Sequence, residues 1–336
     1  MKAAVFHEAG KPLVIETLDD PKPRPTDVII KVHRCGICGT DLHMTSGDAW
    51  AYPPDSIPGH EFAGEIVEVG SQVEGFKKGD NITAVPTAGC GHCDGCTHHV
   101  WPLCDNLEPI MGGFGEYMRI PSRAALKLPS SFTFGDIALV EPYAVGLYGV
   151  RVAAIQPGDR VLILGAGTVA LTTAFWAKRL GAGRVVIASR SARREPMALE
   201  MGADAFVQTG DDEVQKVVEA LGGAPQIVFE CAGAPGLLAQ AVQHVRKFGQ
   251  VVSMGFCTSP DSVIPALVSM KAARLSFPVG YGLRDFEYVA DTMLAGDIDP
   301  KTIITSVISL GELPIVFEDL RGPNTQTKVQ VSFAGM

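Results

Sequence analysis

Apolar and polar positions follow two regimes along the chain. Up to about residue 145, short β-like runs such as VIIKV (28–32), FAGEIVEVG (62–70) and NITAV (81–85) are broken every few residues by Gly and Pro. Such dense spacing, with few long helical patterns, predicts an irregular β-rich domain. PKPRPTD (21–27) reads as a proline-rich turn leading into a strand. Further on, the apolar runs RVLILGAG (160–167), RVVIAS (184–189), AFVQ (205–208), QIVFECAG (226–233) and QVVSMGF (250–256) alternate with helix-like segments at 168–182, 191–203, 212–221 and 236–247. Continuous apolar strands alternating with helices predict a parallel sheet covered on both faces. RLSFPV (274–279) is expected at the sheet edge. The helix-like RDFEYVADTMLAG follows, and then TSVISL and TKVQVSF return to the first regime. The predicted class is α/β. A doubly wound parallel sheet at 146–279 interrupts a β-rich domain made of 1–145 and 280–336.

Composition narrows the partners. The chain has 336 residues, 46% of them apolar and 19% charged, and a formal net charge of −9. That balance fits a globular enzyme and repels nucleic-acid phosphates and anionic membranes. No apolar run approaches the roughly 20 residues needed to span a bilayer. MKAAVFHEAG lacks the long apolar stretch of a secretory signal. A cytoplasmic enzyme acting on a small molecule is the expectation, with neither nucleic acid nor membrane as partner.

The eight cysteines change the picture further. GCGHCDGCTHHVWPLC places Cys90, Cys93, Cys96 and Cys104 at C-x2-C-x2-C-x7-C, inside a lobe at about 88–106. Four thiolates at these intervals can close a tetrahedron around zinc, and a site with four protein ligands is structural. Gly91 and Gly95 are expected to permit the tight turns of such a knuckle. His92, His98 and His99 are then left to solvent.

A second set is scattered: CGICGTDLH (35–43), GHE (59–61) and EP (141–142). Cys38, His60 and Glu141 offer S, N and O ligands, and three protein ligands with one exchangeable position is the plan of a catalytic zinc. With PGHEFAGEIVEVG, GGFGEYMRI, VEPYAVGLYGV and VLILGAGTVALTTAFWAKRLGA, these motifs cover nearly the whole length. In this order and spacing the chain resembles the medium-chain, zinc-dependent alcohol dehydrogenases. The resemblance implies a GroES-like catalytic domain and a Rossmann cofactor domain. It makes Cys38, rather than Cys35, a zinc ligand, with His60 the second and Glu141 in the third position. Glu61 is similar to the acid that approaches the metal during ligand exchange, and in some relatives it binds directly. Either carboxylate therefore stands as the third ligand. Asp41 matches an acid that orients His60.

The implied reaction moves a hydride between an alcohol, or its ketone or aldehyde, and a nicotinamide, with zinc as Lewis acid. Thr40 and His43 match the hydroxyl and imidazole that carry the released proton. Gly165, Gly167, Thr168 and Val169 open G-x-G-x-x-A between a strand and a helix, the pyrophosphate-binding pattern. At the end of the second strand, where NAD enzymes place an acid, stands Ser189, followed by Arg190, Arg193 and Arg194. Serine and arginine suit a 2′-phosphate, so NADP(H) is expected over NAD(H). By resemblance Lys328 reaches the pyrophosphate. Two zinc ions per chain and a homodimer or homotetramer built on the edge strand near 274–279 complete the expectation.

Trp50, Pro86, Trp101 and Tyr143 are candidate pocket residues, and a moderately apolar alcohol or carbonyl compound is the leading substrate class. Glu141 suggests the alternative of a polyol, sugar or amino alcohol. A zinc-free reductase is disfavoured by the cysteine lobe and by Cys38 and His60. A non-catalytic zinc-containing binding protein would leave the catalytic set unexplained.

Overall fold

The computed structural model describes residues 1–47, 51–297 and 299–333; the candidate Trp50 lies outside them. The chain divides into two compact units, Met1–Glu141 with Gly280–Met336, and Pro142–Val279.

In the first unit a seven-stranded sheet runs Ile304–Ser309, Lys328–Ser332, Asp27–Gly36, Glu61–Val69, Asn81–Ala84 and Ala125–Leu128, with Tyr117–Pro121 also paired to Asp27–Gly36. The two C-terminal strands are parallel to each other, and Lys328–Ser332 joins Asp27–Gly36 antiparallel. Both ends of the chain thus share one sheet. Val28, Ile30, Val32, Ile66, Ile82, Ile120 and Val331 alternate inward from these strands into one core. An N-terminal hairpin, Lys2–Val5 with Val14–Thr17, escapes the sequence pattern.

The second unit holds six parallel strands in the order Ala205–Gln208, Arg184–Ser189, Arg160–Leu164, Ile227–Glu230, Gln250–Ser253 and Arg274–Ser276. Val161, Leu162, Ile163, Val185, Val186 and Ile187 are all fully buried, which explains the unbroken apolar runs. Strand order reverses between Arg160–Leu164 and Ile227–Glu230, where the carboxyl ends of doubly wound sheets open a ligand crevice. Arg274–Ser276 is the edge strand. Among the described residues no helix is long and apolar enough to cross a membrane.

Candidate metal centres and cofactor cleft

The cysteine lobe is built by local chain geometry. The ligand sulfurs of Cys90, Cys93, Cys96 and Cys104 lie within 4.8 Å of one another. Sulfurs bound about 2.3 Å from one tetrahedral zinc stand about 3.8 Å apart, and Cys90 Sγ and Cys96 Sγ are 4.0 Å apart. The backbone N–H groups of Cys90 and Asn106 point at Cys104 Sγ from 3.2 and 3.3 Å. The N–H groups of His92 and Cys93 favour the thiolate of Cys90 and lower its pKa to about 6, whereas burial pushes Cys96 up to about 11. Donor set, spacing and amide support all fit a zinc ion. Gly91 takes a positive φ of 89°, a turn that favours glycine. Gly95 has a different reason: a Cβ there would sit 2.4 Å from the Leu103 carbonyl oxygen, so it clears space instead of turning the chain. His92, His98 and His99 are exposed.

The second cluster is gathered from distant elements and buried. Cys38 caps the helix Gly39–Met44, and His60 and Glu61 lie at the start of the strand Glu61–Val69. Donor atoms of Cys38, His60 and Glu61 lie within 4.8 Å of one another. Asp41, fully buried on the same short helix, is 3.1 Å from His60 Nδ1 and accepts from the Tyr52 hydroxyl at 2.6 Å and the Cys38 N–H at 3.0 Å. This hold leaves His60 Nε2 to face the cluster. Burial opposes charge on His60, but Asp41 and Cys38 outweigh it and raise its pKa well above the ordinary value. Cys35 packs in the core, fully buried against Gly59 and Gly113.

Each carboxylate has its own partner. Lys328 Nζ, 2% exposed, donates to both Glu61 oxygens at 2.5 and 2.6 Å and to the Ile37 carbonyl at 3.0 Å. Lys328, which the resemblance directs to the pyrophosphate, is here held by the Glu61 carboxylate. Glu141 accepts from the hydroxyl of Tyr281, a residue that no sequence motif marked. Burial, with Glu61 nearby, raises Glu141 to about 7. Glu61, not Glu141, shares the 4.8 Å cluster with Cys38 and His60. Gly36, opposite Glu61 in the strand pair, makes this possible, since a Cβ there would stand 2.0 Å from Glu61 Oε2. Thr40 and His43, three apart on Gly39–Met44, share one side of that helix and are half-buried.

In the second unit a cleft of about 710 Å³ is lined by Gly165, Ala166, Gly167, Ser189, Arg190 and Arg194, together with Thr209, Gly210, Glu213 and Gln240. Gly165 takes a φ of 107°, while Gly167 caps the helix Thr168–Arg179 with open space where a Cβ would point. Ala170 is fully buried, as close packing of helix on sheet requires. Thr168 and Val169 begin the helix, outside the lining set. Burial, and then Arg193, lower the pKa of Arg194. Glu213 and Gln240 belong to helices whose sequence carried no cofactor signal. Tyr143 is corrected from a pocket residue to a core residue of this unit, packed edge-on to Phe175 with its hydroxyl 3.9 Å from Met201 Sδ. Trp101 likewise packs over Gly89 in the cysteine lobe, and Pro86 is buried.

A sulfur–imidazole–carboxylate cluster in one unit and a glycine-rich strand–helix turn in the other define a metal-dependent, dinucleotide-using oxidoreductase. The comparisons agree. Residues 24–130 match the alcohol dehydrogenase GroES-like domain, and residues 168–295 match the zinc-binding dehydrogenase model. Sorbitol dehydrogenase of Bacillus subtilis is 31% identical, covering 98% of this chain and 97% of that protein. (R,R)-butanediol dehydrogenase of the same organism is 33% identical, covering 93% and 94%. The crystal structure of 2R,3R-butanediol dehydrogenase from B. subtilis superposes with a TM-score of 0.88 at 32% identity, covering 98% of this chain and 99% of that one. A zinc-binding dehydrogenase structure from Sinorhizobium meliloti, bound to NADP, gives 0.88 at 32%, covering 98% of each chain. The chain belongs to the zinc-dependent alcohol dehydrogenases of the medium-chain dehydrogenase/reductase superfamily, and is a zinc-type alcohol or polyol dehydrogenase.

Proposed function

We propose that this enzyme transfers a hydride between a small secondary alcohol, or its carbonyl partner, and NADP(H). The observation that carries the reading is the buried Cys38–His60–Glu61 cluster, with Asp41 and Tyr52 fixing the imidazole. A zinc ion held there supplies Lewis-acid polarisation of a substrate oxygen. Cys38 and His60 are two of its ligands. Glu61 is the third in the arrangement described, and Glu141 is the alternative. Asp41 keeps His60 in the tautomer that presents Nε2. Lys328 offsets the charge of Glu61, and Tyr281 holds Glu141. The Thr40 hydroxyl hands the substrate proton towards the His43 imidazole, which exchanges it with water.

The NADP(H) preference rests on Ser189, Arg190 and Arg194 along one cleft, with no acid at the end of Arg184–Ser189. Comparing kcat/KM for NADP and NAD tests it; a clear advantage for NAD would end the proposal.

For the substrate, the relatives' names shift the weight. Sorbitol, butanediol and threonine dehydrogenases are named for compounds with a second hydroxyl or an amine beside the carbinol carbon. The polar pair Glu141 and Tyr281 suits such a group better than an apolar chain. We therefore place vicinal diols and amino alcohols ahead of simple alcohols, and a substrate panel ranks the two. The Cys38→Ser variant, retaining cofactor binding but not turnover, separates enzyme from binding protein.

We also propose a homo-oligomer formed on the edge strand Arg274–Ser276. Ile264, Met270 and Phe277, at 62%, 76% and 62% exposure, make an apolar surface around it. Eight unpaired cysteines suit the reducing cytoplasm.

A further inference from the structure

The helix Gly39–Met44 carries both Thr40 and His43, yet it is only six residues long. A helix so short is marginal by itself, so its geometry is set by whatever holds its ends. At the start, the Cys38 N–H donates to Asp41 Oδ2 at 3.0 Å, while Asp41 Oδ1 meets His60 and Tyr52. That end is tied to the metal-holding cluster. At the finish, the Thr45 N–H returns to the Asp41 carbonyl and the Ser46 N–H to the His43 carbonyl. The rest of the last turn is held from the far end of the chain.

Arg321 stands just past the helix Leu313–Asp319, in the same unit. Its Nη1 donates to the Leu42 carbonyl at 2.6 Å, and its Nη2 to the Thr45 hydroxyl oxygen at 2.7 Å. Leu42 and Thr45 bracket His43 in the chain. Thr45 is fully buried and passes the hold inward, since its hydroxyl donates to the Asp41 carbonyl at 2.8 Å. A planar fork reaches two acceptors at a fixed spacing, which a lysine ammonium does not. The positive charge also meets the negative end of the helix dipole.

The guanidinium is itself fixed. Its Nε donates to Glu318 Oε2 at 2.8 Å, and the group lies 5.4 Å from the centre of the Phe317 ring. Phe317 is fully buried and meets Phe114 edge-on, with ring centroids 6.3 Å apart. Phe114 in turn packs on Gly59, the residue before His60, where a Cβ would stand 2.8 Å from its ring. The wall behind His60 therefore also carries the group that grips the helix of His43. Ion pairs at a surface add little stability. What this one fixes is the turn on which Thr40 and His43 stand, three residues apart on one side.

We infer that Arg321 is a positioning residue for proton release: by holding Leu42 and Thr45 it keeps the His43 imidazole in reach of the Thr40 hydroxyl. The inference rests on the proton path proposed above. Arg321→Met, at an exposed position, is compared with Arg321→Lys and His43→Ala in the zinc-loaded full chain. Arg321→Met is expected to lower kcat for alcohol oxidation about tenfold near neutral pH, part of the roughly 10²- to 10⁴-fold that a positioned proton-transfer group contributes. The loss should shrink as pH rises and hydroxide takes the proton directly, and added imidazole should restore turnover. Zinc content and NADP(H) affinity, measured by fluorescence titration, should stay unchanged. Amide hydrogen exchange across Gly39–Ser46 should quicken about tenfold, as the turn opens locally. Arg321→Lys, which keeps the charge and one of the two contacts, should recover part of the loss. Unchanged kcat and exchange in Arg321→Met would overturn the inference. So would a loss that neither pH nor imidazole relieves, which would mark a general structural defect. Wild-type turnover by His43→Ala at every pH would instead remove the proton path itself, and a loss in His43→Ala without one in Arg321→Met would remove only the role of Arg321.

Discussion

The four-cysteine lobe and the Cys38 cluster are both suited to zinc, yet they are built in opposite ways. The lobe takes its ligands from fifteen consecutive residues, is partly exposed, and is supported by backbone N–H groups. The Cys38 cluster takes its ligands from separate elements, is almost wholly buried, and ties its imidazole and carboxylates each to a second side chain: His60 to Asp41, Glu61 to Lys328, and Glu141 to Tyr281. A closed site needs only local geometry. A site that exchanges ligands needs its spare charges balanced while substrate comes and goes, and that balancing draws on residues far away in the chain.

The contrast predicts separable failures. Cys38→Ser is expected to cut kcat/KM by at least about 10³-fold, since the polarising ion is lost, while the thermal midpoint moves little. Cys96→Ser should do the reverse, costing several kcal/mol of stability as the lobe loses a metal that holds its fold. Calorimetric melting and steady-state kinetics on both variants check the pair. If Cys38→Ser melted the protein and Cys96→Ser left it stable, the division of labour would be wrong.

A smaller effect probes the supporting side chains. Asp41→Asn is expected to lower zinc affinity or activity by about 10- to 100-fold, the usual cost of removing the partner of a metal-bound histidine. The lobe has no equivalent residue, so the same experiment with His92→Ala should show no change.

A further effect is electrostatic. Without metal, His60 and Glu141 both have raised pKa values in the folded chain. The native apo-protein then binds more protons than the unfolded chain, so its stability falls as pH rises. For Glu141 the window runs from its ordinary value of 4.5 to about 7, at a slope of at most about 1.4 kcal/mol per pH unit. Denaturant melts of zinc-free protein across that range, with Glu141→Gln flattening the slope, measure it.

The same contrast explains what could be read from the sequence. The lobe was legible because its ligands are neighbours. Cys38, His60 and the glycine-rich turn at Gly165 were legible because each sits in a dense local motif. Glu61 and Glu141 could not be separated, because their partners Lys328 and Tyr281 lie 267 and 140 residues away. The pairing of Lys328 with Glu61 was illegible for the same reason, since a lone lysine at a strand start does not show where its ammonium goes. Gly36 was a silent signal. Only the register opposite Glu61 reveals that a side chain there would strike the carboxylate. Among the elements, the helix Val140–Ala153 was missed because its strongly apolar sequence carries little amphipathic stripe. The short helix Pro265–Lys271 was missed because its Leu267 and Met270 face out.

The most direct test of two sites with two jobs is stepwise zinc removal by chelator, with released metal, activity and thermal midpoint followed together. The account predicts about two zinc ions per chain. Loss of zinc from the Cys38 cluster should abolish turnover with the fold intact, and loss of zinc from the cysteine lobe should lower the melting point. Full activity in metal-free protein, or a single zinc whose release does both at once, would contradict it.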